Sequence, residues 1–334
     1  MAELLFPLAA VFVTVFLVVP ALTLVSCAWL ARRRARSASW ADFGSNGTFA
    51  LLVAPTMVPA IWLLSSAIHQ VEPSQTLPSC WVDHMTTETC VDALILLSIV
   101  VFGGIVVTTS RAWRERPTAT TRLPHTHGLV KRVRRIAASD ASLRRLRIHV
   151  AHRSAAPAFA MGWLRASVVL DACFVRDADD EMIRAASLHE RAHVADFDTA
   201  RSFLVRLCLS VNPAGQLLRA DFERWRGARE AQCDGDAVHR GGEPLALAES
   251  ILLAARFECR GLQRCGVSLL TGHSGAALKL RLALLLDGPQ RPGRSMGHAW
   301  LFVAVIAMLT LPHIEGAGLL DAFHFSVERL LHRH

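Results

Sequence analysis

The stretch AASLHERAHVADFD, residues 185–198, carries two histidines four positions apart and a glutamate directly after the first of them. Residues i and i+4 lie on the same face of a helix, so His189 and His193 can direct imidazole nitrogens at one zinc ion. The carboxylate of Glu190 can take a proton from a water molecule that attacks a peptide bond. The spacing therefore predicts a zinc-dependent hydrolytic site. A solvated polar helix face is the alternative, since the chain contains 15 histidines.

A second helical stretch, REAQCDGDAV at 229–238, offers the third protein ligand that a catalytic zinc site requires. Glu230 is the best candidate ligand, and Asp234, one turn later, can hold a ligand imidazole in place. A charged helix face is again the alternative, because Arg226 and Arg229 stand nearby. Further candidates with weaker support are Asp236 as a ligand and Asp196 or Asp198 as a partner of His193.

The composition indicates that part of the chain lies in a membrane. Hydrophobic residues make up 52% of the 334 residues and the mean hydropathy is +0.33, which is high for a soluble protein. A membrane-spanning helix needs about 20 mostly apolar residues. Stretches that satisfy this requirement and contain neither lysine nor arginine are residues 4–30, 48–68, 91–109 and 298–314. The first continues into a basic segment that is typical of a retained span rather than of a cleaved signal peptide.

The distribution of basic residues predicts the orientation in the membrane. Lysine and arginine are concentrated at 32–36 and between 111 and 294, whereas the loop at 69–91 has none. The positive-inside rule places 111–297 in the cytoplasm and both termini outside, including a short tail at 315–334. We therefore expect an integral protein of a bacterial-type inner (plasma) membrane, in contact with lipid. The formal net charge of +8 reflects this topology, and no reader motif accompanies it that would indicate direct nucleic acid binding.

Residues 111–297 are long enough for one compact domain between the third and fourth spans. Short β-type runs at 146–151, 158–162 and 167–171 predict a small sheet. The motif helix follows, with an aspartate at 177 or 179 as its expected N-cap, and more helices complete the domain. The expected fold class is a mostly α membrane protein: four transmembrane helices with a cytoplasmic α+β zinc metallopeptidase domain of gluzincin type.

The cysteines do not occur in pairs with metal-binding spacing. Cys80 and Cys90 fall in the predicted external loop, in the segment SCWVDHMTTETC. An oxidising compartment would permit a disulfide between them, and two free thiols are the alternative. Cysteines of the cytoplasmic part are expected to be small buried hydrophobic residues.

The order of these motifs resembles that of the BlaR/MecR-type membrane zinc metallopeptidases, the signal transducers of β-lactam resistance. The segments that carry the resemblance are APAFAMGWLRASVVL at 156–170, AASLHERAHVADFD, VNP at 211–213, REAQCDGDAV and LKLRLALLLDG at 278–288. The resemblance covers about residues 90–290, and three spans before the domain with one after it agree with it. It implies that His189, His193 and Glu230 bind Zn²⁺ and that Glu190 is the general base.

The same resemblance implies where a substrate peptide binds. The strand at Ser167–Leu170, with Val168 and Val169, is expected to be the sheet edge to which the peptide adds as a further strand. Plain core packing is the alternative interpretation of this strand. The expected partner is therefore a protein or peptide substrate.

Two departures from the family pattern change these expectations. Members with a proven antibiotic-sensing role carry a penicillin-binding sensor domain after the last span, and we expect none in the tail at 315–334, so this chain is not expected to perceive β-lactams. The chain also contains no tyrosine, a residue that many zinc peptidases direct at the oxyanion of the tetrahedral intermediate. His239 and Arg240 become the candidates for that role, and a helix C-terminal cap is the alternative, supported by Gly241 and Gly242.

Three functions are consistent with the sequence. The first is a zinc endopeptidase that acts in signal transduction by cleaving a cytoplasmic transcriptional repressor or its own connector near 288–297. The second is a protein quality-control protease similar to the HtpX-type membrane peptidases, which usually carry Glu-x-x-Ala-Asp where this chain has EAQCD. The third is a non-proteolytic signalling scaffold, which would not require Glu190. The oligomeric state, monomer or homo-oligomer, stays open.

Overall fold

The computed structural model describes residues 12–36, 40–71, 103–104, 106–110, 121–152, 154, 156–162, 166–261 and 275–286. The helices are α1 (Val19–Arg36, preceded by a π-helical turn at Thr14–Val18), α2 (Asn46–Val71), α3 (Gly128–Ser139), α4 (Ala172–Asp177), α5 (Asp180–Ala195), α6 (Asp198–Val211), α7 (Arg219–His239), α8 (Pro244–Gly261) and α9 (Gly275–Leu286). The strands are β1 (Thr121–Arg122), β2 (Ile148–His152), β3 (Ala158–Met161) and β4 (Ser167–Asp171). Short 3-10 helices occupy Trp40–Gly44 and Gly215–Leu218.

The structure supports one of the four predicted spans by length and composition. The helical segment Thr14–Arg36 is long and apolar enough to cross a membrane. Helix α2 contains the predicted span 48–68, but its described apolar part, Asn46–Ile61, is shorter than a span. Only the end of the third predicted span, 91–109, is described, as helical residues 103–104 and 106–110. Outside the described residues lie the predicted fourth span 298–314, the tail at 315–334 and the predicted loop 69–91 with Cys80 and Cys90, except for residues 69–71, which form the end of α2. The number of four spans therefore stays a prediction.

The sheet corrects the predicted location of the substrate-binding edge. Its strand order is β1-β2-β4-β3, with β2 parallel and β3 antiparallel to β4. Every residue of β4 is buried, as expected for a continuous apolar run covered on both faces. Because β4 pairs on both sides, Val168, Val169 and Leu170 have no free backbone groups to offer a peptide. The sheet edge on that side is β3.

The motif helix α5 is anchored in the core of the domain. Its N-cap is Asp179, whose side chain accepts a hydrogen bond from the Met182 amide at 2.7 Å. Asp180 and Glu181 in the first turn favour a helix N-terminus, where the helix dipole is positive. Ile183 and Leu188 are fully buried in the core cluster that includes β4. The position of the two histidines is thus fixed by packing along the whole helix.

A second hydrophobic cluster connects the domain to the first two helices. It includes Leu30 of α1, Leu52 of α2 and Trp225 of α7, together with Phe43 and Leu218. Arg34 at the basic end of α1 also forms an ion pair of 2.8 Å with the buried carboxylate of Asp221. Helix α7 therefore packs on the 3-10 helix Trp40–Gly44 and on the motif helix α5, and Asp221 in its first turn connects it to α1.

Candidate metal centre

Helices α5 and α7 bring the three predicted zinc ligands together. Among the described residues, His189, His193 and Glu230 form a group whose ligand atoms all lie within 4.8 Å of one another. The two histidine Nε2 atoms are 3.2 Å apart. Oε2 of Glu230 is 3.4 Å from Nε2 of His189, and Oε1 is 3.5 Å from Nε2 of His193. A metal ion can be held between the two Nε2 atoms and this carboxylate, as in other His₂Glu sites.

Each histidine is oriented by a carboxylate on its other ring nitrogen. Nδ1 of His189 lies 2.8 Å from Oδ1 of Asp234, and Nδ1 of His193 lies 2.9 Å from Oδ2 of Asp198. Asp234 is one helical turn after Glu230, as the sequence predicted. Asp198 is the first residue of α6, and the turn before it requires a left-handed conformation at Phe197, with φ 56°. Both carboxylates leave the Nε2 atoms free to face the ligand position.

Two buried arginines hold these carboxylates. Arg281 of α9 donates two hydrogen bonds of 2.8 Å to Asp234, and its Nη1 lies 3.1 Å from Oε2 of Glu230. Arg229 of α7 donates to both oxygens of Asp198, at 3.1 Å from Nε and 2.9 Å from Nη2. Sequence reasoning missed the role of Arg281. Its signal was an arginine in the mostly apolar segment LKLRLALLLDG, which carried the family resemblance but to which no role was assigned.

Charge and burial determine the protonation states of the metal-free site. Burial opposes the charged imidazolium of His189, but Asp234 and Glu230 outweigh it and raise the pKa of His189 to about 9. Burial would raise the pKa of Glu230, yet His193, Arg281 and His189 hold it well below its usual value. For Glu190, burial dominates and raises the pKa despite the neighbouring histidines. A raised pKa suits a carboxylate that must accept a proton and later release it.

The residues present fit a zinc ion. Zinc prefers imidazole nitrogen and carboxylate oxygen in sets of this kind. Oε2 of Glu230 is buried and has no well-aligned hydrogen bond within the described part of the chain, and the charge that neutralises it in the metal-free site is the guanidinium of Arg281, 3.1 Å away. A second group with metal-ligand chemistry, His193 with Asp198 and Cys233, shares a histidine with the first. Burial raises the pKa of the Cys233 thiol to about 11, which disfavours the thiolate that a metal requires. Asp198 is also already paired with Arg229, so this group fits a metal less well.

His239 and Arg240 lie away from this cluster. His239 is the last residue of α7 and is exposed, as is Arg240. It follows Glu230 by nine residues, or about 13 Å along a helix axis. Gly241, with φ 89°, donates from its amide to the carbonyl of Val238, and this closes the helix. The placement supports the helix-cap interpretation and gives no support to an oxyanion role for His239.

The edge strand β3 lies beside Glu190. In an antiparallel pair, alternate residues direct their backbone groups away from the partner strand. Pro157 accepts a hydrogen bond from Asp171 of β4, so Ala158 and Ala160 are the outward-facing residues. The Ala160 amide donates to the carboxylate of Glu190. Outward backbone groups and the candidate general base are therefore adjacent.

A small pocket opens next to the same residues. Its volume is about 50 Å³, and His189, Glu190 and Arg281 contribute to its lining. The other lining residues are mainly apolar and small, among them Ala158, Ala186, Leu247, Ile251 and Ala254. The pocket is thus suited to an apolar side chain of modest size.

Comparison with known proteins gives one family. The model of the family described as BlaR1 peptidase M56 matches residues 48–285. This range contains all but the first two residues of α2, the sheet and every residue of the candidate metal centre. No curated protein and no solved structure gives a significant match.

Proposed function

The chain belongs to the BlaR1 peptidase M56 family, and from this premise we propose that it is a membrane-anchored zinc endopeptidase. The family is one of membrane-associated metallopeptidases, and the apolar helix Thr14–Arg36 agrees with anchoring. We assign His189, His193 and Glu230 as the zinc ligands and Glu190 as the general base. The observation that carries this assignment is the convergence of the three ligand atoms, from the buried His189 and the partly buried His193 and Glu230, on one position.

The chemistry follows from the positions of the chain's own groups. Zinc in this site would polarise the scissile carbonyl and lower the pKa of the attacking water. Glu190 lies beside the first ligand, is only 4% exposed and has a raised pKa. It takes the proton of the attacking water and transfers it to the amine that leaves. Asp234 and Asp198 keep the histidines in the tautomer that directs Nε2 at the ligand position.

Substrate binding is best supported at β3. A peptide can add to this edge through the outward backbone groups of Ala158 and the carbonyl of Ala160, whose amide already donates to Glu190, and this places the peptide alongside that carboxylate. The adjoining pocket would then receive one apolar substrate side chain. At about 10–15 Å³ per water-sized group, its volume of about 50 Å³ suits a side chain of valine or leucine size.

The biological role that we propose is signal transduction on the cytoplasmic side of the membrane. Its basis is the family together with the predicted topology, in which 111–297 faces the cytoplasm. The substrate would be a cytoplasmic transcriptional repressor or the connector of this chain near 288–297.

The test compares the detergent-purified full-length chain with two variants. Glu190→Gln removes the base and keeps the shape, and Glu249→Gln changes an exposed glutamate of α8. We expect all three proteins to bind about one zinc ion, as a three-ligand site implies. Casein cleavage and self-cleavage should be lost only in Glu190→Gln. Cleavage by Glu190→Gln at the native rate would refute the assignment of the base, and absence of bound zinc from the native chain would refute the metal site.

A further inference from the structure

Helix α6 packs lengthwise on the predicted membrane helices. The side chain of Thr56 in α2 donates a hydrogen bond of 3.3 Å to the Cys208 carbonyl. At the end of α6, the buried side chain of Asn212 donates to the hydroxyl of Thr23 in α1 at 2.9 Å. Thr23 lies in the apolar part of α1, away from its arginine-rich end, and Thr56 lies in the apolar helix α2, which contains no Asp, Glu, Lys or Arg. The C-terminal end of α6 is therefore at the level of the apolar segments.

The described end of the third predicted span, which is close to Arg111, also contacts the last two turns of α6. The hydroxyls of Thr108 and Ser210 are 3.1 Å apart. A Cβ atom added to Gly104 would lie 2.2 Å from a methyl group of Val211, so the two backbones approach closely here. Three helical segments thus surround the last two turns of α6.

The position of Thr23 along α1 indicates how deep Asn212 lies in the membrane. It precedes the basic residues that begin at Arg32 by nine positions, which corresponds to about 13 Å along a helix. The hydrocarbon core of a bilayer is about 30 Å thick. With the arginines of α1 at the membrane surface, Asn212 lies near the middle of the bilayer.

The sequence of this segment agrees with that depth. Residues 207–218, LCLSVNPAGQLL, contain no charged side chain, and Arg206 and Arg219 stand at the two ends. The return to the surface is complete at Asp221, which forms the ion pair with Arg34 near the end of α1. The chain therefore enters the membrane along α6, turns at 212–214 and returns to the same membrane surface through the 3-10 helix Gly215–Leu218.

The turn also satisfies its backbone groups internally, which a membrane interior requires. The amide of Asn212 donates to Cys208, and that of Gly215 donates to Asn212. The amide of Ala214 donates to the Asn212 side chain at 2.8 Å, and Pro213 has no amide hydrogen to satisfy. At Gly215 an added Cβ would lie 2.3 Å from the Leu209 carbonyl oxygen, so the descending chain packs directly on α6.

We propose that residues 207–218 form a re-entrant hairpin that enters the bilayer from the active-site side and contacts lipid acyl chains through Leu217. Leu217 is 54% exposed in the structure, and no protein surface among the described residues covers it. This inference rests on the membrane anchoring in the proposed function and modifies the predicted topology, in which all of 111–297 is cytoplasmic.

The hairpin fixes the distance of the metal centre from the membrane. Helix α6 begins at Asp198, which contacts the ligand His193, and its 14 residues span about 20 Å. With Asn212 about 13 Å deep, the metal centre lies within about 10 Å of the membrane surface. Its substrate class is accordingly a peptide segment held close to the membrane, such as the connector near 288–297.

Photolabelling from the lipid phase tests the hairpin in the native full-length chain. The protein is reconstituted in phosphatidylethanolamine–phosphatidylglycerol vesicles that contain a lipid-soluble diazirine, irradiated and digested with trypsin. The matched control for peptide 207–219 is peptide 241–256, which contains Leu245 and Leu252, 55% and 42% exposed. We expect peptide 207–219 to be labelled as strongly as peptide 1–32 and several-fold more than 241–256.

The outcomes separate this inference from the proposed function. Labelling of 1–32 without labelling of 207–219 would overturn the hairpin and leave membrane anchoring intact. Absence of label from both peptides would overturn membrane anchoring and the hairpin together. The zinc-peptidase assignment does not depend on this result, because zinc content and Glu190-dependent cleavage are measured separately. As a second test, Leu217→Glu should lower the thermal midpoint in vesicles, and Leu245→Glu, at equal exposure, should not. Equal tolerance of both substitutions would refute the lipid contact of Leu217.

Discussion

Replacing Asp234 by asparagine should weaken zinc binding while leaving all three ligands in place. The carboxylate of Asp234 is 2.8 Å from Nδ1 of His189 and accepts two hydrogen bonds of 2.8 Å from Arg281. An asparagine amide replaces one of the two acceptor oxygens by an NH₂ donor, which would face either Nε of Arg281 or the donors at Oδ1, Nδ1 of His189 and Nη2 of Arg281. Loss of such a partner typically costs 10–100-fold in metal affinity, or about 1.4–2.7 kcal/mol.

The assay is a competition for zinc between the purified full-length protein and a chromophoric chelator at fixed pH. Asp236→Asn is the matched control, because Asp236 lies on the same helix but contacts Arg240 at the surface. We expect Asp236→Asn to bind zinc with the native affinity. If Asp234→Asn kept the native affinity while His189→Ala lost it, Asp234 would not orient the ligand. If both aspartate variants weakened binding equally, the effect would come from the helix as a whole.

Three further results are expected. Zinc uptake at pH 7 should release at least one proton per ion, because the pKa of His189 is about 9 in the metal-free protein and the pKa of His193 is also raised. Calorimetry in buffers of different ionisation enthalpy measures the number of protons released, and release of none would contradict the raised pKa values. Because its pKa is raised, protonated His189 stabilises the metal-free fold fully below pH 6.5, and this stabilisation is lost as the pH rises through about 9. Between these two pH values, the thermal midpoint of the metal-free native protein should fall more than that of a His189→Gln variant. Gly215→Ala should destabilise the protein by roughly 1–3 kcal/mol, since its Cβ would lie 2.3 Å from the Leu209 carbonyl oxygen, whereas Gly128→Ala meets no atom within 4 Å and should have no such effect.

Local helix geometry explains why the two histidines could be paired from sequence, whereas Glu230 was expected from the need for a third ligand and from the family resemblance. His189 and His193 are related by one helical turn, and so are Glu230 and Asp234. The N-cap at Asp179 was also among the two aspartates that the sequence indicated. The assignment of these residues to zinc stays a proposal, but the structure brings the three ligand atoms together as the spacing predicted.

Features that depend on contacts between distant segments could not be predicted in this way. The sequence of β4 indicates a buried strand but contains no information on strand order, so the edge was assigned to Val168–Leu170 instead of β3. Arg281 is 47 residues from Asp234 along the chain, and nothing local to α9 reveals which carboxylate it contacts. The position of α6 against α1 and α2 is equally non-local, although its uncharged segment between Arg206 and Arg219 was visible in the sequence.

The two arginines of the metal centre have a consequence for electroneutrality. In the described structure the carboxylates around the histidines are those of Glu190, Asp198 and Asp234, which are buried, and that of Glu230, which is partly buried. The guanidiniums buried with them are those of Arg229 and Arg281. With every carboxylate ionised, this interior carries two uncompensated negative charges, which are costly in a medium of low polarity. A divalent cation cancels them, and so do two bound protons. Arg229 and Arg281 therefore set the charge of the ion that the interior accepts, and a neutral residue at either position would leave a deficit that only a further proton could fill.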